Sequence, residues 1–155
     1  MITKSKRILL GLLLVGCSLA GYMLWLTLRP VKIVSVHKDE NFAHVLVRNF
    51  PFTDKGKISW WLENKNILKI NYDIPNPAPY GSFTVNFWDF GEGYKEEGKH
   101  DRRCFDDIKT NKNCIDKNLL LSIKRIKYGD TLFIVYDGDN YRLEKNGEII
   151  KIHHK

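Results

Sequence analysis

The sequence predicts an α+β fold: one N-terminal transmembrane helix followed by a small, mostly antiparallel β-sheet domain with one main amphipathic helix. Three observations predict it. A charge-free apolar run extends from Ile8 to Leu28, a single stretch after Thr53 repeats its apolar residues at helical spacing, and the remaining apolar residues fall in short β-rich runs between turn signals. The chain has 155 residues, 43% of them hydrophobic and 28% charged, a globular composition that leaves room for one modest core and excludes a multidomain enzyme.

Residues 1–7 carry Lys4, Lys6 and Arg7 and are expected to form a cytoplasmic tail. The 21 residues from Ile8 to Leu28 would rise about 31 Å as a helix, which matches the hydrocarbon thickness of a bilayer. Residues 8–28 therefore read as a transmembrane anchor and a contact with the lipid bilayer. Cations beside its first end are retained in the cytoplasm, and Tyr22 and Trp25 sit near the other end, where amphipathic rings prefer the interface. Residues 29–155 are then a periplasmic domain of a single-pass bacterial inner-membrane protein. Two processing alternatives stand beside the uncleaved anchor: lipidation at Cys17 within Leu14-Val15-Gly16-Cys17, and cleavage after Ser18-Leu19-Ala20. Either would leave the apolar stretch Tyr22 to Leu28 near the mature N-terminus, where a soluble or lipid-tethered protein has no use for it.

Of the net charge of +7, three charges belong to the tail, so the outer domain holds 25 − 3 = 22 basic against 18 acidic residues. These are interspersed instead of forming a stripe, which argues against a nucleic-acid partner. Cys104 and Cys114 are the cysteines of this domain, and an even pair in an oxidising compartment predicts a disulfide. Their spacing is not that of a zinc knuckle, and no metal site or cofactor is expected.

Val31 to Val36 and Ala43 to Val47 read as a first hairpin around the polar turn Lys38-Asp39-Glu40-Asn41, with Ala43, Val45 and Val47 facing the core. Thr53 or Asp54 caps a helix through about Ile70 whose Ile58, Trp61, Leu62 and Leu68 share one face. Pro75, Pro77 and Pro79 then enforce an extended segment. In Ser82 to Phe90 the residues Phe83, Val85 and Phe87 alternate with Thr84, Asn86 and Trp88, giving an aromatic strand expected inside the sheet. A charged, glycine-punctuated loop follows to Asn113. Leu119 to Ile126, Thr131 to Asp137, Asn140 to Lys145 and Glu148 to Ile152 form a meander, with Asn146-Gly147 suited to a type I′ turn.

Catalytic patterns are weak. Asp89-Phe90-Gly91 spells the magnesium-binding tripeptide of protein kinases without the accompanying motifs. The histidines His37, His44, His100, His153 and His154 do not form a metalloprotease pair, and no serine occupies a nucleophile elbow. Asp89, Glu92, Glu96, Glu97, Asp101, Asp106 and Asp107 are interleaved with Lys95, Lys99, Arg102 and Arg103. Two of them could do acid/base work only if they converged in a cleft; a solvated face of opposite charges is the plainer reading. Asp137, Asp139 and Asn140 suit a hairpin turn better than a calcium loop, because Arg142 stands where that loop requires glycine. Aromatic residues offer the other lead. Trp60 and Trp61 are adjacent on the helix and about 100° apart, so one ring is open to a partner; with Trp88, Phe90 and Tyr94 they are the candidate partner-binding residues, against the alternative that such rings fill a small core.

Several longer strings are distinctive: Asn49-Phe50-Pro51-Phe52-Thr53-Asp54, Trp60-Trp61-Leu62, Tyr72-Asp73-Ile74-Pro75, Phe87-Trp88-Asp89-Phe90-Gly91, Cys104-Phe105-Asp106-Asp107 and Lys145-Asn146-Gly147-Glu148. In these, and over nearly its whole length, the chain resembles the enterobacterial putative membrane protein family, a family of unknown function. The resemblance implies a short cytoplasmic tail, one membrane anchor and a small outer domain, and it carries over no catalytic residues. Three functional classes fit: a non-enzymatic protein-binding module, in one version an immunity protein against an envelope-acting toxin; an envelope-assembly or stress accessory; and a small hydrolase or glycan-binding protein using the acidic loop.

Overall fold

The structure, a computed structural model, describes residues 3–153. Lys155, the expected outer terminus, and His154 lie outside the described residues. The chain divides into two compact units, Met1–Pro30 and Val31–Lys155.

In the first unit, helix α1 spans Lys4–Leu28 and buries none of its residues. Its length and apolar composition suffice to cross a membrane. Near its end the Tyr22 and Trp25 rings stack at 6.0 Å, and the Arg29 guanidinium lies 4.8 Å from the Trp25 ring, a basic and aromatic cluster of the kind found at interfaces.

The second unit is built on a seven-stranded sheet. Strands β1 (Lys32–Asp39) and β2 (Phe42–Arg48) form the expected hairpin, with a two-residue turn at Glu40 and Asn41 instead of a four-residue one. Helix α2 (Asp54–Tyr72) follows, then β3 (Phe83–Asp89), a short pair β4 (Arg102–Cys104) and β5 (Cys114–Asp116), and the meander β6 (Leu119–Arg125), β7 (Thr131–Val135), β8 (Asn140–Leu143) and β9 (Ile149–Ile152). Spatial order is β1-β2-β3-β6-β7-β8-β9, so β3 is interior as its aromatic alternation predicts. Only β2 and β3 pair in parallel, because α2 carries the chain back to the starting end between them. All other pairs of this sheet are antiparallel.

Helix α2 begins where the Thr53 hydroxyl accepts the Gly56 amide at 3.0 Å. It ends at Asp73, in left-handed conformation, whose amide donates to Leu68 and Lys69 carbonyls. Between these caps Ile58, Trp61 and Leu68 are buried against the first face of the sheet, where Ala43, Val45, Val47, Val85, Phe87, Ile123 and Phe133 complete the core. Leu62 packs at its margin.

Two expectations change. The turn at Asn146-Gly147 is not type I′: Gly147 alone takes positive φ, at 88°, and its amide donates to the Glu144 carbonyl at 2.9 Å. That pattern is a turn followed by a left-handed glycine, the longer hairpin connection. Second, the strand positions opposite the core are not simply polar and solvated. Leu46, Trp88, Phe105 and Ile115 form a second buried cluster, since the segment between β3 and β6 folds back over the sheet's other face.

Candidate functional site

The second cluster is built by the lobe from Phe90 to Asn118. Cys104 and Cys114 are directly opposed in the β4/β5 ladder and disulfide-bonded, with S–S 2.03 Å. The cross-link places Phe105, the next residue, over the first hairpin. There its ring stacks on His37 with centroids 4.0 Å apart and tilts against His44 at 5.8 Å. His37 and His44 are cross-strand partners on β1 and β2, and both are buried.

Each histidine is wired to the lobe. His37 Nδ1 lies 2.7 Å from Asp107 Oδ2; the carboxylate only accepts, so Nδ1 carries the proton. Nε2 is then the acceptor for the Tyr94 hydroxyl at 2.8 Å and the Ser35 hydroxyl at 3.3 Å. Asp107, His37 and Ser35 thus have the connectivity of an acid–base triad. The single lone pair of Nε2 is shared, however, and the shorter bond goes to Tyr94, so the arrangement clamps the lobe to β1. His44 Nδ1 faces the Trp88 indole nitrogen at 3.0 Å, and Nε2 faces Arg103 Nη2 at 2.8 Å. Burial first, then the Arg103 charge, pushes the His44 pKa down to about 4, so the ring is neutral at physiological pH.

Several acidic residues of the lobe are engaged by neighbouring cations or amides. Glu92 and Asp116 both meet Lys95, at 2.7 and 2.6 Å, and Asp116 also meets Arg102 at 3.2 Å. Asp101 pairs with Lys117, and Glu96 accepts from Asn111 at 2.7 Å. Hydrogen bonding to Asp116 first, then to Glu92, raises the Lys95 pKa, while Lys95 first, then Arg102, lowers that of Asp116. Nor do Asp137, Asp139 and Asn140 converge on one point: the Asp139 amide donates to Asp54, and its carboxylate pairs with Lys151 at 2.6 Å. Among the described residues no three His, Cys, Asp or Glu side chains gather as metal ligands.

The candidate aromatic residues do not form one surface. Trp60 and Trp61 sit on the helix side, where both contact Phe87, at 5.7 and 6.0 Å between ring centroids, and Trp60 also meets Phe50 at 5.4 Å. Trp61 is 3% exposed and Trp60 half-buried. A tryptophan pair 100° apart fits one core because Phe87 lies between the two rings. Trp88, 9% exposed, is on the opposite face in the second cluster. Phe90 and Tyr94 are half-buried at that cluster's margin, ring to ring at 5.1 Å, with the Arg48 guanidinium 4.9 Å from Phe90. Phe90 and Tyr94 are therefore the candidates that retain surface on the lobe side.

A family model for the enterobacterial putative membrane protein matches residues 2–153. The chain belongs to this family. Its function is unknown, and the match extends over both units, the apolar N-terminal helix and the sheet unit. No curated protein and no solved structure matches the chain.

Residue-level reading of the sequence passes over the two histidines because it asks only for ligand spacing. One signal was available. A turn confined to Glu40 and Asn41 pairs residues whose numbers sum to 81, which sets His37 opposite His44. Their contacts with Tyr94, Arg103 and Asp107 depend on the lobe's docking and have no local signature.

Proposed function

We propose that this chain is a single-pass protein of the bacterial inner membrane whose second unit stands in the periplasm and acts by binding a protein. The basic tail before α1 supports that orientation. The observation that carries the binding reading is the uncovered half of the sheet's second face. By register, Leu132 and Ile134 on β7 share that face with Ile150 and Ile152 on β9. None of the four packs against either buried cluster, and Ile150 is 43% exposed. Apolar side chains grouped on one side of a sheet, here two pairs flanking Asn140 and Arg142 of β8, suit an interaction surface. Phe90 and Tyr94 offer a second, separate patch at the lobe, beside β1 and β2.

The partner is an envelope protein or, in the immunity version, a toxin delivered to the envelope. A photo-crosslinking residue at Ile134 of the full-length protein in cells tests this: one discrete adduct is expected, and Ile70, exposed on α2 over the sheet's other face, serves as the control position. Under the immunity version, co-expression protects cells from the crosslinked toxin; an envelope defect on deletion without any toxin favours the accessory role. Turnover of a glycan or peptide by the purified protein, lost in Glu96→Gln or Asp107→Asn, overturns the binding reading.

A further inference from the structure

The disulfide-closed lobe brings to the sheet a cation that the chain leaves without a counter-charge. Arg103 is half-buried, with its guanidinium carbon 5.9 Å from the Phe105 ring centroid. Its Nε is buried and has no acceptor among the described residues. No carboxylate of the described residues stands within ion-pair distance of it. Arg102 beside it takes Asp116, Asp106 forms no ion pair with it, and Asp107 is bound by His37.

His44 does not relieve this. The Trp88 indole and the guanidinium are both donors only, yet they face the two nitrogens of one imidazole, at 3.0 and 2.8 Å. A neutral ring has a single acceptor nitrogen, so one of these contacts sets a donor against a donor. Protonation is no remedy, because it turns the remaining acceptor nitrogen into a donor as well. The contact of Arg103, His44 and Trp88 has more donors than acceptors, and no carboxylate pairs with its guanidinium among the described residues. Nε is sealed from solvent without a partner and Nη2 faces His44, which leaves Nη1 as the nitrogen to meet an incoming anion.

The surroundings say what kind of anion. Across the same face the register runs from His44 through Asn86 and Ser122 to Ile134, and on through Asn140 to Ile152. His44 and Ile134 are three strand spacings apart, or about 14 Å, which about four residues of extended chain span. Lys124, at the neighbouring position on this face, is a second cation without an ion-pair partner among the described residues.

We propose that this face receives an extended acidic segment of a protein partner, whose Asp or Glu carboxylate meets Arg103 while apolar side chains about four residues away seat on Ile134 and Ile152. The proposal rests on the protein-binding reading and adds the partner's chemistry. A guanidinium suits the task, since its fork pairs with a carboxylate more specifically than an ammonium does.

Selection from a random twelve-residue peptide library displayed on phage, against the full-length protein in nanodiscs, tests it. Enriched peptides are expected to carry an acidic residue at a fixed spacing of about four from an apolar one. Replacing that acid by its amide should weaken binding about tenfold to wild type and less than twofold to Arg103→Gln. Ile134→Ser should remove the apolar preference and leave the acidic one. Intact disulfide and unchanged melting of both variants verify folding. Enrichment without an acidic position, an acidic preference that survives Arg103→Gln, or no enrichment at all overturns the proposal. If the Ile134 crosslink still forms in cells under any of these results, the binding reading stands and the acidic-segment chemistry falls.

Discussion

Asp54 is the residue that ties helix to meander. It opens α2, and its Oδ2 accepts the Asp139 amide at 3.0 Å and the Tyr141 hydroxyl at 2.9 Å. Burial is the largest influence on its pKa and raises it, but these two bonds together with Lys57 and Lys151 prevail and lower it. The same carboxylate pushes the Tyr141 pKa up to about 12. A Cβ on Gly138 would come within 2.5 Å of Asp54 Oδ1, so glycine is required there to let the carboxylate approach. Asp54→Asn is expected to cost about 1–2 kcal/mol at neutral pH. Because the folded pKa lies below the unfolded one, the stabilisation is complete above the ordinary Asp range and disappears as pH falls through the lowered value. Chemical unfolding of wild type and variant in detergent should therefore show a gap at pH 7 that closes in strong acid. His44 has the same sign with a different window. Its folded pKa of about 4 against the ordinary 6.5 means that the unfolded chain binds the extra proton first. Stability should fall as pH drops from about 6.5 to about 4, by on the order of 3 kcal/mol at most. Melting temperatures across that range check this, and His44→Asn should flatten the slope.

At the scale of elements, the lobe and the sheet are legible to different degrees. The strands, the helix and the cysteine pair are visible in the sequence because each has a local signature: alternation, a 3.6-residue repeat with a Thr53 cap, or a lone even pair. Docking of the lobe is not visible. Leu46 and Trp88 occupy the positions that alternation assigns to the outside, and only a covering layer from a distant segment explains their burial. The Asn146-Gly147 turn shows the same limit, since two turn types accept that dipeptide and strand geometry selects between them. The lobe's attachment gives a test. Cys104→Ser should destabilise the unit by roughly 2–3 kcal/mol, the loop-entropy value for a ten-residue separation. Amide exchange should quicken first at the Lys95 and Cys114 bridge and leave α2 and β3 protected; equal acceleration everywhere would contradict a separately docked lobe. Trp60→Ala belongs at this scale too. Its contacts with Phe50 and Phe87 predict a loss of stability of about 2–3 kcal/mol, read as a lower melting temperature, where an exposed anchor would have cost binding alone.

At the scale of the whole molecule, the consequence to test is orientation. A basic tail before a single apolar helix predicts that a C-terminal alkaline phosphatase fusion is active and a green fluorescent protein fusion dark. The reverse pattern would place the second unit in the cytoplasm, where the Cys104–Cys114 bond would not be maintained. Globomycin separates lipidation at Cys17 from an uncleaved anchor: a heavier precursor accumulates only if Cys17 is modified.

The sequence by itself determined what depends on neighbours along the chain. The apolar length of Ile8 to Leu28, the Thr53 cap, the alternation in β2 and β3 and the pairing of two cysteines are all local or compositional, and each follows from backbone periodicity and the cost of exposing apolar surface. Tertiary structure alone decided which groups separated by tens of residues meet. His37 joins Asp107 across 70 positions, His44 joins Arg103 across 59, and Trp60 and Trp88 part to opposite faces of one sheet. Such encounters are set by how the crossover helix and the disulfide lobe cover the two faces, and that covering depends on the packing of whole layers, which no short window of sequence encodes.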